Sequence, residues 1–320
     1  MGGRKVQSVG VLMGGTSSER DVSLRTGAAV ANALQRLGHA VTEVDIRSET
    51  GRELDGLKLD VAFIALHGKF GEDGRLQRIL QSRGIPYTGS GPEASWVAMD
   101  KVESKRLFRQ RNVETPPHRV IVHGESLALW EQCARALGYP VVMKPRAEGS
   151  SVGVTVHRDC STLLDGAADC FRHDSVALME KFIHGRELTV GILDGKPLPI
   201  IEIRSKRAFF DKDAKYSDPD TAYIIDPPLS EIENRRVQKA AKDANDALGC
   251  EGVSRVDLIL TPFCSIHVLE VNTIPGMTER SLLPKAARAS GIEFPELCQQ
   301  LLDAAFKRSR GGFWAAAAML

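Results

Sequence analysis

No charge of one sign dominates this chain. Its 320 residues carry 42 Lys and Arg against 41 Asp and Glu, a formal net charge of +1. Proteins that grip nucleic acid through its phosphates usually show a basic excess, and so do polybasic membrane-surface proteins. Neither partner is expected here. No run approaches the ~20 apolar residues of a membrane-spanning helix. The opening MGGRKVQSVGVLMGG is Gly-rich, and its apolar stretch is short for a secretion signal. The six cysteines (Cys133, Cys160, Cys170, Cys250, Cys264 and Cys298) show neither CxxC nor regular spacing. That excludes a disulfide scaffold and a zinc site, and it suggests reduced thiols in a cytoplasmic protein. There is no internal repeat and no low-complexity linker. A Walker A loop is absent, and Gly14-Gly15 lacks the third glycine of a dinucleotide fingerprint. His157-Arg158-Asp159 copies a kinase tripeptide, yet no Asn follows at the required offset and DFG does not occur.

What is present reads as α/β. Residues 6–12 form a β-branched apolar run that stops at Gly14-Gly15. Ser18 with Asp21 three residues on reads as a capping box for a helix. Val22, Val30, Ala33, Leu34 and Leu37 follow at helical spacing, and Gly38 closes it. Further strands are expected over 41–44 and 61–66. This is the βαβ rhythm of an open parallel sheet, so residues 1–99 read as one α/β domain. The texture then changes. Helices are expected over 101–111, 126–137 and 162–171, with strands over 119–122, 141–144, 154–156 and 176–180. After Gly185 the chain turns strand-rich (187–193 and 199–203). A polar stretch, 205–228, has little periodicity and is long for a plain loop, as lids often are. Helix 231–248, strands 253–260 and 265–271, and helices 281–289 and 295–307 complete the pattern.

Chemistry concentrates in a few places. Strand side chains alternate, so Arg255 and Asp257 share one face, and Glu270 and Asn272 share another. An antiparallel hairpin turning at Pro262 would bring all four together. Hard oxygen donors without His or Cys suit Mg²⁺. The plainer alternative is an ordinary polar face, although both strands are otherwise apolar and a carboxylate there needs compensation. The loop 148–153, EGSSVG, follows Lys144 and could offer backbone N–H groups to phosphate. It also matches G-x-S-x-G through Gly149, Ser151 and Gly153. That reading, a hydrolase with Asp257 and His267 as partners, needs a helix after the serine, where Val152, Val154 and Val156 alternate like a strand. His67 follows a strand end, where open α/β sheets bind ligands, but it also fits a plain turn. Glu180-Lys181-Phe182-Ile183 could form an adenine slot or a buried strand. Lys101 and Lys144 gain meaning as phosphate partners only beside a metal cluster.

Taken jointly, GGTSSERDVSL, FIALHGKFGEDG, PYTGSG, MDK, KPRAEGSSVGV, EKF, AKYSD, RVDL and LEVNTIPGMTERSLLP resemble the D-alanine–D-alanine ligases of the ATP-grasp superfamily. The resemblance runs from Gly14 to about Ala287. It implies an N-terminal open-sheet domain (1–99), a central ATP-grasp subdomain (100–186), and a C-terminal one (187–310) carrying the lid 205–228, followed by a tail, 311–320. It implies ATP-dependent joining of two D-alanines through an acyl phosphate, in a cytoplasmic homodimer with no nucleic-acid or membrane partner. Lys101 and Lys144 would contact ATP phosphates, Ser150 and Ser151 would close over the nucleotide, Glu180 and Lys181 would lie by the adenine, and Glu187 on the ribose. Asp257, Glu270 and Asn272 would hold two Mg²⁺ or Mn²⁺ ions. Glu19, supported by His67, Ser150 and Tyr216, would receive the first D-alanine's ammonium. Arg255 and the Gly276 N–H would form the oxyanion site, and Ser281 with Lys215 would take the second D-alanine's carboxylate. Ile274, Glu279 and Arg280 depart from the expected pattern and would reshape the second-substrate pocket.

Overall fold

The computed structural model describes residues 6–204 and 221–310, with the side chain of Arg310 left aside. The chain begins with β1 (Ser8–Gly14), α1 (Arg20–Arg36), β2 (Ala40–Ile46), β3 (Val61–Ile64), α2 (Arg75–Ser82) and α3 (Pro92–Met99). The strands form a parallel sheet in the order β2-β1-β3. Its apolar alternation is split between two cores. Val9, Val11, Val61 and Phe63 pack with Val30 and Leu34 of α1, while Leu12, Ala62 and Ile64 pack with Leu76 and Leu80 of α2. Burial on both faces is why β1 and β3 read as continuous apolar runs, whereas β2, at the sheet's edge, is partly exposed. Gly27 lets α1 lie close on β1, because a Cβ there would come within 2.5 Å of the Met13 Cβ.

Next come α4 (Lys101–Gln110), β4 (His118–Val122), α5 (Leu127–Leu137), β5 (Val141–Pro145), β6 (Thr155–His157), α6 (Leu163–Phe171) and β7 (Val176–Lys181). These strands make an antiparallel sheet ordered β4-β7-β5-β6. One face packs α5 and α6 through Trp130, Ala134, Leu163 and Ala167.

The third sheet contains β8 (Arg186–Leu193), β9 (Lys196–Pro197), β10 (Ile201–Arg204), β11 (Ala222–Ile225), β12 (Val253–Leu260) and β13 (Ile266–Asn272). Its order is β11-β10-β8-β12-β13, with β9 paired to β8. Among the described residues, the helices of this part are α7 (Glu231–Ala247), α8 (Leu282–Ala289) and α9 (Phe294–Arg310). Helix α7 covers one face through Val237, Ala241 and Ala244. Its start is a full capping box, in which Ser230 and Glu233 satisfy each other's backbone N–H. Helix α9 returns to the first sheet, where Leu297 and Leu301 join the core of Val9 and Leu34.

Two expectations need correction. The box at Ser18 does not form: α1 begins at Arg20, Glu19 is its N-cap, and no side chain caps it. The neighbouring Ser17 hydroxyl donates to the His67 carbonyl (2.7 Å) and accepts from the Glu19 N–H (3.2 Å). The stretch 205–228 is not irregular throughout, because Ala222–Ile225 pairs with β10. Residues 205–220 and the tail 311–320 lie outside the described residues. Helices α2 and α3 were not anticipated.

Candidate functional site

The hairpin of β12 and β13 has the register that alternation demands. Arg255 lies opposite Asn272 and Asp257 opposite Glu270, and opposed residues project from the same face. A bulge follows Asp257. Asp257 also lies opposite Thr189 of β8, whose hydroxyl donates to its Oδ1 at 2.6 Å. The Arg255 guanidinium, 6% exposed, holds the same carboxylate through Nε (2.9 Å) and Nη2 (2.6 Å). Asn272 Oδ1 accepts from the Ile274 N–H at 2.9 Å, which fixes the amide's orientation. No group of three or more His, Cys, Asp or Glu side chains suited to a metal occurs among the described residues. Two carboxylates and one amide oxygen nevertheless make a hard donor set that fits Mg²⁺ or Mn²⁺, provided phosphate oxygens complete the coordination.

Two cavities flank this hairpin, of about 590 Å³ and about 450 Å³. Lys101, Glu148, Gly149 and Glu270 line both. Lys101 opens α4 next to its N-cap Asp100, whose Oδ1 accepts from the Val102 and Glu103 N–H groups. The Lys101 ammonium lies 3.6 Å from Glu270 Oε2 and donates to the Glu148 carbonyl.

The larger cavity is lined by strand residues, including Lys144, Glu180, Lys181, Glu187 and Asp257, with Ser151 from the loop. Glu180 is 3% exposed and ion-paired on both oxygens: Oε1 lies 2.9 Å from Lys105 Nζ, an ion pair by distance without hydrogen-bond alignment, and Oε2 lies 2.9 Å from Lys144 Nζ. Burial pushes the Glu180 carboxyl up, but the two ammoniums outweigh it and hold it below the ordinary value. Burial likewise pulls Lys105 down to about 8, against the pull of Glu180. Nearby, Glu202 is held by Arg186 at 3.0 and 2.8 Å and by Arg204 at 3.0 Å; these bonds keep its carboxyl below the usual range.

The smaller cavity draws its polar groups mostly from loops and helix starts, against the shared hairpin of Arg255, Glu270 and Asn272. Glu19, His67, Ser150, Gly276 and Ser281 line it, with Arg255 from β12. Ser150 and Ser151 take left-handed φ values of 50° and 56°, a conformation costly for serine and common at working sites. This turn lets the Ser150 hydroxyl donate to the Glu19 carboxylate. Lys69 reaches the same loop and pairs with Glu148 at 2.5 Å. His67 is not a plain turn residue. It is buried, with Nδ1 3.1 Å from the Ile274 carbonyl and Nε2 3.0 Å from the Thr26 hydroxyl. Ser281 is the N-cap of α8, and its hydroxyl is engaged with Thr278 instead of capping the helix. A Cβ at Gly276 would sit 2.9 Å from the Ser281 Oγ, so the backbone approaches closely there.

The structure therefore gathers every anticipated site residue it describes around two joined cavities. Lys215 and Tyr216 lie outside the described residues. The hydrolase grouping does not assemble: loop 148–153 leads into a strand, His267 neighbours Glu114 (3.6 Å), and Asp257 is taken by Arg255 and Thr189. Of the three departures, Arg280 lines the smaller cavity, Ile274 is buried in the first-sheet core, and Glu279 is exposed. Sequence reasoning missed Lys105 and Lys285. Lys105 lies one helical turn after Lys101, which was the available hint. The Lys285 ammonium sits 4.6 Å from the Tyr223 ring centroid, and both line the smaller cavity. Burial and then Arg280 push the Lys285 ammonium below its ordinary pKa.

Comparison with known proteins gives one direction. Residues 107–303 match the family described as D-ala D-ala ligase C-terminus, and residues 48–90 match D-ala D-ala ligase N-terminus. A D-alanine–D-alanine ligase of Syntrophotalea carbinolica is 45% identical over 94% of this chain and 97% of its own length. That of Geotalea uraniireducens is 46% identical over 94% and 96%. The crystal structure of the Bacillus anthracis D-alanine–D-alanine ligase complexed with ATP superposes with a TM-score of 0.85 at 35% identity, over 95% of this chain and 99% of that one.

Proposed function

We propose, for a chain that belongs to the D-alanine–D-alanine ligase family, that its two joined cavities divide the reaction between them. The fold is ATP-grasp. The protein is an ATP-dependent ligase that joins two D-alanines into the dipeptide used in peptidoglycan synthesis. The observation that carries the division is the meeting of both cavities at Lys101 and Glu270.

In this reading residues 1–99, 100–186 and 187–310 are the three working parts, and ATP lies in the larger cavity between the second and third. Glu180 and Lys181 lie by the adenine, Glu187 by the ribose, and Lys101 and Lys144 by the phosphates, with Ser151 in the covering loop. Asp257, Glu270 and Asn272 are the residues to hold two Mg²⁺ or Mn²⁺ ions, which would screen the phosphate charge. Glu19, oriented by Ser150 and backed by His67 and Tyr216, receives the ammonium of the first D-alanine in the smaller cavity. The carboxylate oxygen of this first D-alanine attacks the γ-phosphorus, the bond to the β-phosphate oxygen breaks, and ADP leaves behind the D-alanyl phosphate. Ser281 and Lys215 hold the second D-alanine by its carboxylate. Its neutral amine attacks the acyl carbon, and Arg255 with the Gly276 N–H stabilises the oxyanion, an effect worth about 3 kcal/mol per donor in related chemistry. Phosphate then departs and the amine's proton passes to solvent. The lid role for 205–228 would supply the exclusion of water that the acyl phosphate requires.

No helix among the described residues is long and apolar enough to cross a membrane; the reading places the enzyme in the cytoplasm as a homodimer. One assay tests the whole: ADP release with D-alanine, L-alanine, D-lactate or no acceptor. Stoichiometric ADP and dipeptide with D-alanine, and little of either with L-alanine, is the expected result. ADP release indifferent to the amino acid would sink the ligase assignment.

A further inference from the structure

The two lysines on Glu180 are not equivalent. Lys144 comes from β5 and lines the larger cavity. Lys105 comes from α4 and is 0% exposed. Its ammonium donates to the Thr115 hydroxyl at 2.5 Å, and that hydroxyl donates in turn to the Val268 carbonyl of β13 at 2.8 Å. Lys105 is therefore anchored between α4 and the strand that carries Glu270, while Lys144 faces the ligand space.

Two ammoniums face the single Glu180 carboxylate, Lys105 and Glu180 almost fully buried and Lys144 at the cavity wall, with Glu270 the next carboxylate acting on Lys105. An arriving anion offsets the cost of keeping two ammoniums on one carboxylate. If Lys144 turned toward that anion without Lys105 in place, Glu180 would be stranded as an unpaired buried carboxylate, which is strongly unfavourable. With Lys105 in place, Glu180 keeps a partner throughout.

We propose that Lys105 is a positioning residue for nucleotide binding: it is the permanent counter-ion of Glu180, and it frees Lys144 to exchange that carboxylate for a phosphate of ATP. The inference rests on reading the larger cavity as the nucleotide site. Lys105 touches no ligand and acts through Glu180 and Lys144. The anchored bond to Thr115 means that the same contact also reports on the approach of β13 to α4.

The test compares steady-state kinetics and melting curves, with and without ATP, for the wild type, Lys105→Met, Glu180→Gln and the double variant Lys105→Met/Glu180→Gln. In Lys105→Met, Glu180 holds Lys144 fast, so KM for ATP rises about tenfold or more while both D-alanine KM values stay within about twofold. Removing the carboxylate's charge releases Lys144, so Lys105→Met raises KM for ATP about fivefold less in a Glu180→Gln background than in the wild type. A purely structural role predicts the opposite, an equal effect in both backgrounds. An ATP KM within about twofold of wild type in folded Lys105→Met, or a Lys105→Met effect as large in a Glu180→Gln background as in the wild type, overturns the proposal alone. A wild type whose melting ATP does not raise overturns the nucleotide reading and the proposal with it. Should Lys105→Met fail to fold, Thr115→Val decides, since it leaves every charge in place. A rise in ATP KM of about two- to fivefold supports the proposal, and an unchanged KM overturns it.

Discussion

The two cavities share a wall but are made differently. The larger presents its charges from strands: Lys144 on β5, Glu180 on β7, Glu187 on β8, Glu202 on β10, Asp257 on β12 and Glu270 on β13. Several of these carboxylates are matched in advance, Glu180 by two lysines, Glu202 by two arginines and Asp257 by Arg255. The smaller cavity takes Glu19 from a helix start, His67 from beyond a strand end, Ser150 from a strained turn and Ser281 from a helix N-cap. A wall of strands holds one geometry, whereas a wall of loops must be assembled from distant segments. The nucleotide side should therefore respond to charge, and the amino-acid side to the placement of loops.

The largest effect is expected where the walls meet. Glu270→Gln should lower ligation by on the order of a thousandfold while the fold persists. ADP release at saturating Mg²⁺ and a thermal melt check it, and near-normal turnover would remove Glu270 from the metal set. Next, Ser150→Ala should raise the KM of the tighter-binding D-alanine about tenfold, since a hydrogen bond to a charged group typically contributes about 1.5–3 kcal/mol. Its KM for ATP should stay within about twofold. Equal effects on both substrates would erase the distinction between the walls. Lys285→Met should be milder, shifting the second D-alanine's KM about threefold with ATP unaffected, as product-formation curves at varied D-alanine would show.

The smallest effect concerns acid. The carboxyls of Glu180 and Glu202 are held below their ordinary 4.5. The unfolded chain therefore binds their protons first as pH falls, and stability present above about pH 4.5 drains away below it. Melting temperature followed from about pH 7 to pH 3.5 should fall, and less steeply in Glu202→Gln. An unchanged slope in that variant would show that Glu202 is not among the groups responsible.

Strand chemistry was the part legible in advance. Alternation paired Arg255 with Asp257 and Glu270 with Asn272, the hairpin expected at Pro262 joined the two pairs, and the antiparallel register bears the hairpin out. The turn at 148–153 was recognisable from its Gly and Ser content, and the valine alternation after it pointed to the strand that begins at Thr155, although the strained serines were not foreseen. Thr189 could not be found this way, because its bond to Asp257 depends on a neighbouring strand 68 residues away. Lys105 was hidden for another reason. A lysine on a helix is usually solvated, and nothing in its own sequence neighbourhood says that Glu180 lies inside the same wall. The box expected at Ser18 did not form because the helix begins later than the spacing suggested, at Arg20 with Glu19 as its N-cap. The ligand-binding roles of all these residues came from the resemblance, not from periodicity.

The bridge from Ser150 to Glu19, with Lys69 on Glu148 beside it, also bears on recombination. Neither side of the smaller cavity is whole within residues 1–99 or within the loop 148–153. A chimaera that takes its first 99 residues from one relative and the rest from another inherits half of each contact from each parent. It would keep the strand-built wall intact whatever its origin. Its loop-built wall would work only when the two halves had been shaped for one another, so crossovers near residue 99 should spare ATP binding more often than dipeptide synthesis.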